Sequence, residues 1–238
     1  VTGDVQQLPL SEFSAWHIDP DRRPTGHRTT RAEAFSPSAE QVQALLAQNP
    51  HAAIKLAPAS ELPAVWNGEI EREWIGFRGE CKQQVVWSGA LAQHAGQRSA
   101  TVLIEPLHDG TAPPTESRLK RTIVGPTDDA PRVALADTVG GYLYEPHAAV
   151  LAARLEDTLA AEHRLSRLHP QAAYYLAGVP IHDAALAGFE VLDVLPCKVK
   201  TVRAWLAERG IGSVEVKKRG VDLDPLLWQR QLKGQGDQ

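Results

Sequence analysis

The chain has 238 residues, 43% hydrophobic and 23% charged, with a formal net charge of -4. That is ordinary globular composition with material for one large or two small domains, and it excludes a bulk polycation; any nucleic-acid surface must be local. The two cysteines, Cys81 and Cys197, are far apart and show no CxxC spacing, which argues against a structural zinc site or a disulfide framework and fits a reducing cytoplasm.

No apolar run approaches 18 residues and no charged-then-apolar leader is present, so neither a membrane span nor a signal peptide is expected. The nine histidines are scattered without ligand spacing, and no metal site is expected. The chain starts Val1-Thr2-Gly3-Asp4 and contains no methionine, from which an internal or C-terminal piece of a longer protein is expected.

In chain order, Val1 to Val5 has the look of a strand tail, and Ala15 to Ile18 of a second strand that stops at Asp19-Pro20. Ser36-Pro37 is expected to open a helix carrying Val42, Leu45 and Leu46, which Asn49-Pro50 ends. Strands are expected at Ala52–Leu56, Glu73–Phe77, Gln83–Trp87 and Ala100–Ile104. Strands alternating with helices, then strands alone, predict a mostly parallel sheet finished by an antiparallel hairpin.

Residues 106–140 are rich in Pro, Thr, Asp and Gly and predict a linker or long loop. Beyond it, Glu145-Pro146 is expected to open a long helix with Val150, Leu151, Leu155 and Leu159 on one face. Gly188 to Leu195 reads as a strand, Lys198 to Arg209 as a helix closed by Gly210, and Ser213 to Lys217 as another strand. A last helix starts at Asp224-Pro225 and runs through Leu232. The domain expectation is therefore 1–105, a connection over 106–140, and 141–238.

Asp19-Pro20-Asp21-Arg22-Arg23 is the most informative stretch, because ligands in open α/β sheets bind where the carboxyl ends of strands diverge. Arg22, Arg23, His27, Arg28 and Arg31 form a compact basic loop beside it, suited either to clamping phosphate or to pairing with Glu33 and Asp21 in solvent. A second basic region, Lys198 to Arg219, holds Lys198, Lys200, Arg203, Arg209, Lys217, Lys218 and Arg219 against Glu208 and Glu215, a local charge of +5. Such patches contact nucleic-acid backbones, though cations on helices are also plain solvated faces. Tyr142, Tyr144, Trp74 and Trp87 could stack on bases, but the core reading is preferred.

Gly3-Asp4 followed by Asp19-Pro20-Asp21-Arg22-Arg23, then Ile54-Lys55-Leu56-Ala57-Pro58, resembles the second half of a class I S-adenosylmethionine-dependent methyltransferase. Glu73-Trp74 and Glu80 through Trp87 continue the likeness. Gly141-Tyr142-Leu143-Tyr144-Glu145-Pro146 and Val216-Lys217-Lys218-Arg219-Gly220-Val221 resemble a bacterial group of such enzymes with a THUMP-like C-terminal domain. The resemblance implies an α/β fold: a partial Rossmann-like methyltransferase sheet followed by a smaller α+β THUMP-like domain. It also implies S-adenosylmethionine as cofactor, with Gly3 and Asp4 on the cofactor side and Asp19, Pro20, Asp21 and Arg22 beside the methyl acceptor.

RNA is the implied partner, contacted by Arg23, Arg28, Lys198, Lys200, Arg203, Lys217, Lys218 and Arg219, with at least two of Lys217, Lys218 and Arg219 expected to project outward. No Gly-rich strand-to-helix turn precedes Asp19, so truncation at both ends and weak or no cofactor binding by this chain are expected. Base-amine methyltransferases carry Asn or Asp, two prolines and an aromatic at this motif; here Asp21 replaces the second proline and Arg22 the aromatic. A guanidinium can still stack on a base. The cysteine that pyrimidine-carbon methylation needs after the next strand is replaced by Ala57-Pro58. The alternatives are a non-catalytic RNA-binding module whose methyltransferase-like half is structural, and methylation of a small molecule or protein.

Overall fold

The computed structural model describes all residues except 1–3, 23–29, 32–33, 67–68, 106–119, 235 and 237–238. Its first sheet has six strands: β1 (Trp16–Ile18), β2 (Ala52–Leu56), β3 (Ile70–Phe77), β4 (Glu80–Ser88), β5 (Gln97–Leu103) and β6 (Lys120–Pro126). Their spatial order is β1-β2-β4-β3-β5-β6. The β1–β2 and β3–β5 pairs are parallel and the other three are antiparallel, so four strands run one way while β4 and β6 oppose them. The sheet is therefore mixed rather than mostly parallel, with three of its five neighbouring pairs antiparallel. The β3–β4 hairpin also lies inside the sheet rather than finishing it.

Helix α1 (Ala39–Gln48) makes the crossover between β1 and β2. It begins two residues later than the expected Ser36-Pro37 opening. Ser38 is the N-cap, its Oγ accepting from the Gln41 N–H while the Gln41 side chain accepts from the Ser38 N–H. Val42 and Leu45 are buried, Val42 against Ala52, Ile54, Leu56 and Val86 together with Phe35 and Trp66. Each such aliphatic side chain contributes about 1.5–3 kcal/mol on removal from water.

The expected long helix after Glu145-Pro146 is not formed. Tyr142–Pro146 is a strand, β7, and two short helices follow, α2 (Ala148–Ala153) and α3 (Glu156–Glu162), separated by Arg154 at φ 57°. One helix running straight through is incompatible with that left-handed residue. Helices α2 and α3, with Leu155 between them, bury Ala149, Val150, Ala153, Leu155 and Leu159 against Trp74, Ala100, Val102 and Ile123. The cross-strand register places Ile54, Val86, Trp74, Ala100 and Ile123 on one face, so α1, α2 and α3 all cover the same side of the sheet. The opposite face carries Lys55, Val85, Glu73, Thr101 and Thr122. Gly76 lies against the N-cap of α2: a Cβ there would stand 2.3 Å from the His147 Cε1 atom.

The second sheet has the order β10-β7-β9-β8, from β8 (Ser166–His169), β9 (Ala172–Ala177) and β10 (Leu186–Glu190) with β7. β10 covers only the start of the expected Gly188–Leu195 strand. Helix α4 (Val199–Glu208) and helix α5 (Pro225–Leu232) agree with expectation, but Ser213–Lys217 is irregular rather than a strand.

Two compact units result: Val1–Val133, Pro146–Arg164 and His182–Ala187 in one, and Ala134–Glu145, Leu165–Ile181 and Gly188–Gln238 in the other. This division differs from 1–105, 106–140 and 141–238. Residues 120–126, expected inside a connection, form β6 of the first sheet, and helices α2 and α3 belong to the first unit.

Candidate functional site

Parallel pairing of β1 with β2 brings their carboxyl ends together, with Ile18 opposite Ile54. The next residue, Asp19, reaches across to β2: Lys55 Nζ donates to Asp19 Oδ2 at 2.5 Å. Both side chains are partly open to solvent, 48% exposed for Asp19 and 33% for Lys55. Asp19 Oδ1 has no partner among the described residues. Pro20 is buried behind this carboxylate, and the Asp21 backbone is bridged to Ser36 in both directions, at 2.8 and 2.9 Å. Arg22 is half-buried. The first residues of the Asp-Pro-Asp-Arg stretch thus form a pinned loop entrance, with one carboxylate oxygen open beside a lysine ammonium. Arg23, His27 and Arg28 lie outside the described residues.

Lys55 does not stand out in the sequence, because a lone lysine in a strand looks like any solvated residue. Its sequence signals are its place one residue before the carboxyl end of β2 and its presence in the Ile54-Lys55-Leu56-Ala57-Pro58 stretch that carries part of the resemblance.

On the cofactor side, Gly3 lies outside the described residues. Asp4 does not continue a strand. It caps a 3-10 turn at Val5–Gln7, its Oδ1 accepting from the Gln6 N–H at 3.0 Å. This is the local turn chemistry short carboxylates favour. No glycine-lined strand-to-helix turn lies beside β1 among the described residues, and Asp4 Oδ1 is already engaged. The described residues therefore do not build a cradle for S-adenosylmethionine; what they show at the carboxyl ends of β1 and β2 is the Asp19–Lys55 pair.

The basic C-terminal residues divide into two groups. Lys198 at the start of α4, and Lys200 and Arg203 on it, are exposed, as is Lys218. Lys217 and Arg219 are not free cations. Lys217 Nζ donates to Glu145 Oε2 and Arg219 to Glu145 Oε1, both at 2.7 Å. Lys217 and Lys218 are exposed, so two of the three do project outward, with Arg219 half-buried. The unexpected feature is that Lys217 and Arg219 are both held by a carboxylate far away in sequence, on β7 and 72 residues before Lys217. Burial would raise the Glu145 carboxyl, but the Lys217 and Arg219 hydrogen bonds outweigh it and hold the group below the ordinary carboxylate range. Arg209 packs over the Trp205 ring at 4.0 Å, and Trp205 Nε1 donates to Asp193.

Of the aromatic candidates, Trp74 and Tyr144 are 3% and 1% exposed and serve as core. Trp87 donates its indole N–H to Glu73 at 2.8 Å. Both cysteines are free, and burial pushes the Cys81 thiol up to about 11. Among the described residues no group of three or more His, Cys, Asp or Glu is arranged to hold a metal, and no helix is long and apolar enough to cross a membrane.

Comparison with known proteins adds to this geometry. Residues 186–238 match the family model described as THUMP domain-like. The chain is 29% identical over 232 residues to uncharacterised S-adenosylmethionine-dependent methyltransferases from two Mycobacterium tuberculosis strains, CDC 1551 and H37Rv. That alignment covers 96% of this chain, and the chain spans 59% of those relatives' length. A crystal structure of a candidate methyltransferase from Porphyromonas gingivalis W83 superposes with a TM-score of 0.68 at 17% identity, over 91% of this chain and 52% of that one. The chain has the fold of that methyltransferase, is similar in sequence to S-adenosylmethionine-dependent methyltransferases, and carries a THUMP domain-like segment at its C-terminal end.

Proposed function

We propose that the protein acts in S-adenosylmethionine-dependent methyl transfer to a nucleobase in RNA, with the acceptor held at Asp19. The observation that carries this reading is the open Asp19 carboxylate at the carboxyl ends of parallel β1 and β2, in a chain with methyltransferase relatives. Asp19 Oδ1 accepts a hydrogen bond from an acceptor N–H and so fixes the direction of the nitrogen lone pair. Lys55 keeps the carboxylate charged and in place through Oδ2. Positioning of this kind supplies most of the rate in a simple displacement. S-adenosylmethionine supplies the methyl group when bound.

The exposed Lys198, Lys200, Arg203 and Lys218 support the RNA half of the reading by offering phosphate contacts. The THUMP domain-like match lies over all four. Arg23 and Arg28, which follow the Asp19–Arg22 stretch in sequence, are proposed as further backbone contacts.

Calorimetry with S-adenosylmethionine on the 238-residue chain, and on a version spanning the relatives' whole length, tests the enzymatic half. The longer protein is expected to bind the cofactor and this chain to bind it weakly or not at all. Absence of binding by both leaves the rival reading, an RNA-binding module with a structural methyltransferase-like half.

A further inference from the structure

We infer that Lys217 and Arg219 form a phosphate cradle that the protein's own Glu145 occupies, so that RNA binds there by displacing a carboxylate. This rests on the RNA reading above and adds a competing internal anion to it.

Four observations carry the inference. Lys217 and Arg219 flank Lys218 in an irregular segment, and both reach the same carboxylate while Lys218 between them is exposed. Each cation also lies over an aromatic ring, Lys217 Nζ 5.4 Å from the Phe189 centroid and Arg219 5.1 Å from that of Tyr174. Phe189 is 42% exposed, an aromatic face available beside a cation, as single-stranded sites require.

The fourth observation is an unused donor. Glu145 takes only one terminal nitrogen of Arg219, and the Arg219 Nε is buried without a partner. A guanidinium fork matches an oxyanion through two parallel N–H bonds, and a phosphate has an oxygen to spare for the second.

Lys217 and Arg219 are 41% and 30% exposed, where open pairs are typically worth about 0–1 kcal/mol each, whereas Glu145 is 18% exposed and its release must be offset by the incoming phosphate. A phosphate replaces both bonds and releases counterions as well. With Glu145 in place, Lys217 and Arg219 are balanced by Glu145 and by Glu215, whose Oε1 lies 4.0 Å from Lys217 Nζ; with Glu145 displaced, the local charge rises by one and both cations can meet the incoming strand.

The same contact also fastens residues 217–219 to the sheet, so the test must separate fastening from competition. Fluorescence anisotropy of a labelled poly(U) oligonucleotide is measured across a salt series for wild type, Glu145→Gln and Glu145→Gln with K217A and R219A. Thermal unfolding is followed on the same preparations. Glu145→Gln is expected to bind roughly fivefold to tenfold more tightly at low salt, with a salt slope steeper by about 0.7 for each added phosphate contact. Adding K217A and R219A should remove the gain. Wild-type-like or weaker binding by a folded Glu145→Gln protein overturns the proposal, as does a gain that survives loss of both cations.

If Glu145→Gln fails to fold, K217A/R219A with Glu145 retained gives the answer: weaker binding and a shallower slope support the cradle, and unchanged binding sinks it. K198A/K200A separates the two readings. Loss of binding there, with no change from Glu145→Gln, removes the cradle alone. Absence of poly(U) binding by every protein in the set removes the RNA reading itself.

Discussion

Asp19 and Glu145 are both carboxylates paired with lysine, yet they do opposite things. Asp19 shares one oxygen with Lys55 and leaves the other open, which is why it is proposed as the acceptor-holding group; Glu145 is taken by two cations and is closed. The Glu145 pairing has a pH signature. Its carboxyl is held below the ordinary value of 4.5, so its contribution to stability is fully present above that pH and is lost as pH falls through the lowered folded-state value. Acid titration of unfolding should therefore show a steeper loss below pH 4.5 for wild type than for Glu145→Gln; parallel profiles would show that the pairing is energetically silent. Gly76 makes a prediction of another kind. A Cβ at that position overlaps the His147 ring and meets the Ala149 Cβ at 2.9 Å, so Gly76→Ala should destabilise the protein by about 1–3 kcal/mol in denaturant unfolding. A stability change below a few tenths would mean that the His147 side chain moves aside freely.

At the scale of elements, legibility follows how local the determining interactions are. Ala52–Leu56 and Pro225–Leu232 are readable because a short apolar run interrupted only by Lys55 and bounded by Pro, and an Asp-Pro helix start, are complete signals within a few residues. Glu145-Pro146 misleads for the same reason: Pro after an acidic residue imitates a helix start, whereas here it ends β7, whose partner β9 lies beyond two intervening helices in the sequence. Ser213–Lys217 alternates like a strand but finds no ladder partner among the described residues. Of the site, the Asp19 loop is legible because its signal lies in one pentapeptide. Lys55 and Glu145 are not, being defined by partners 36 and 72 residues away. The N-cap of α1 is a local device and can be tested locally. Ser38→Ala should cost about 1 kcal/mol and Ser38→Asp much less, since Asp also caps well. Equal losses would place the stabilisation elsewhere than in the Ser38 hydroxyl.

On the scale of the whole molecule, the chain passes back and forth between its two units, and that interleaving is invisible to composition. The Pro- and Gly-rich stretch near residue 120 looks like a connection, yet it contains β6, whose pairing with β5 is set by distant partners. The units also divide the proposed work, with the acceptor carboxylate in one and the basic C-terminal residues in the other. The enzymatic proposal turns on Asp19 holding the base that is methylated. Mass spectrometry of nucleosides decides it, from RNA incubated with S-adenosylmethionine and the protein at the relatives' full length, wild type against Asp19→Ala. A methylated nucleoside is expected from wild type, and a rate lower by roughly 10²-fold or more in Asp19→Ala with the fold retained. An unmodified RNA pool with wild type, or an Asp19→Ala protein that methylates at the wild-type rate, would refute that role for Asp19.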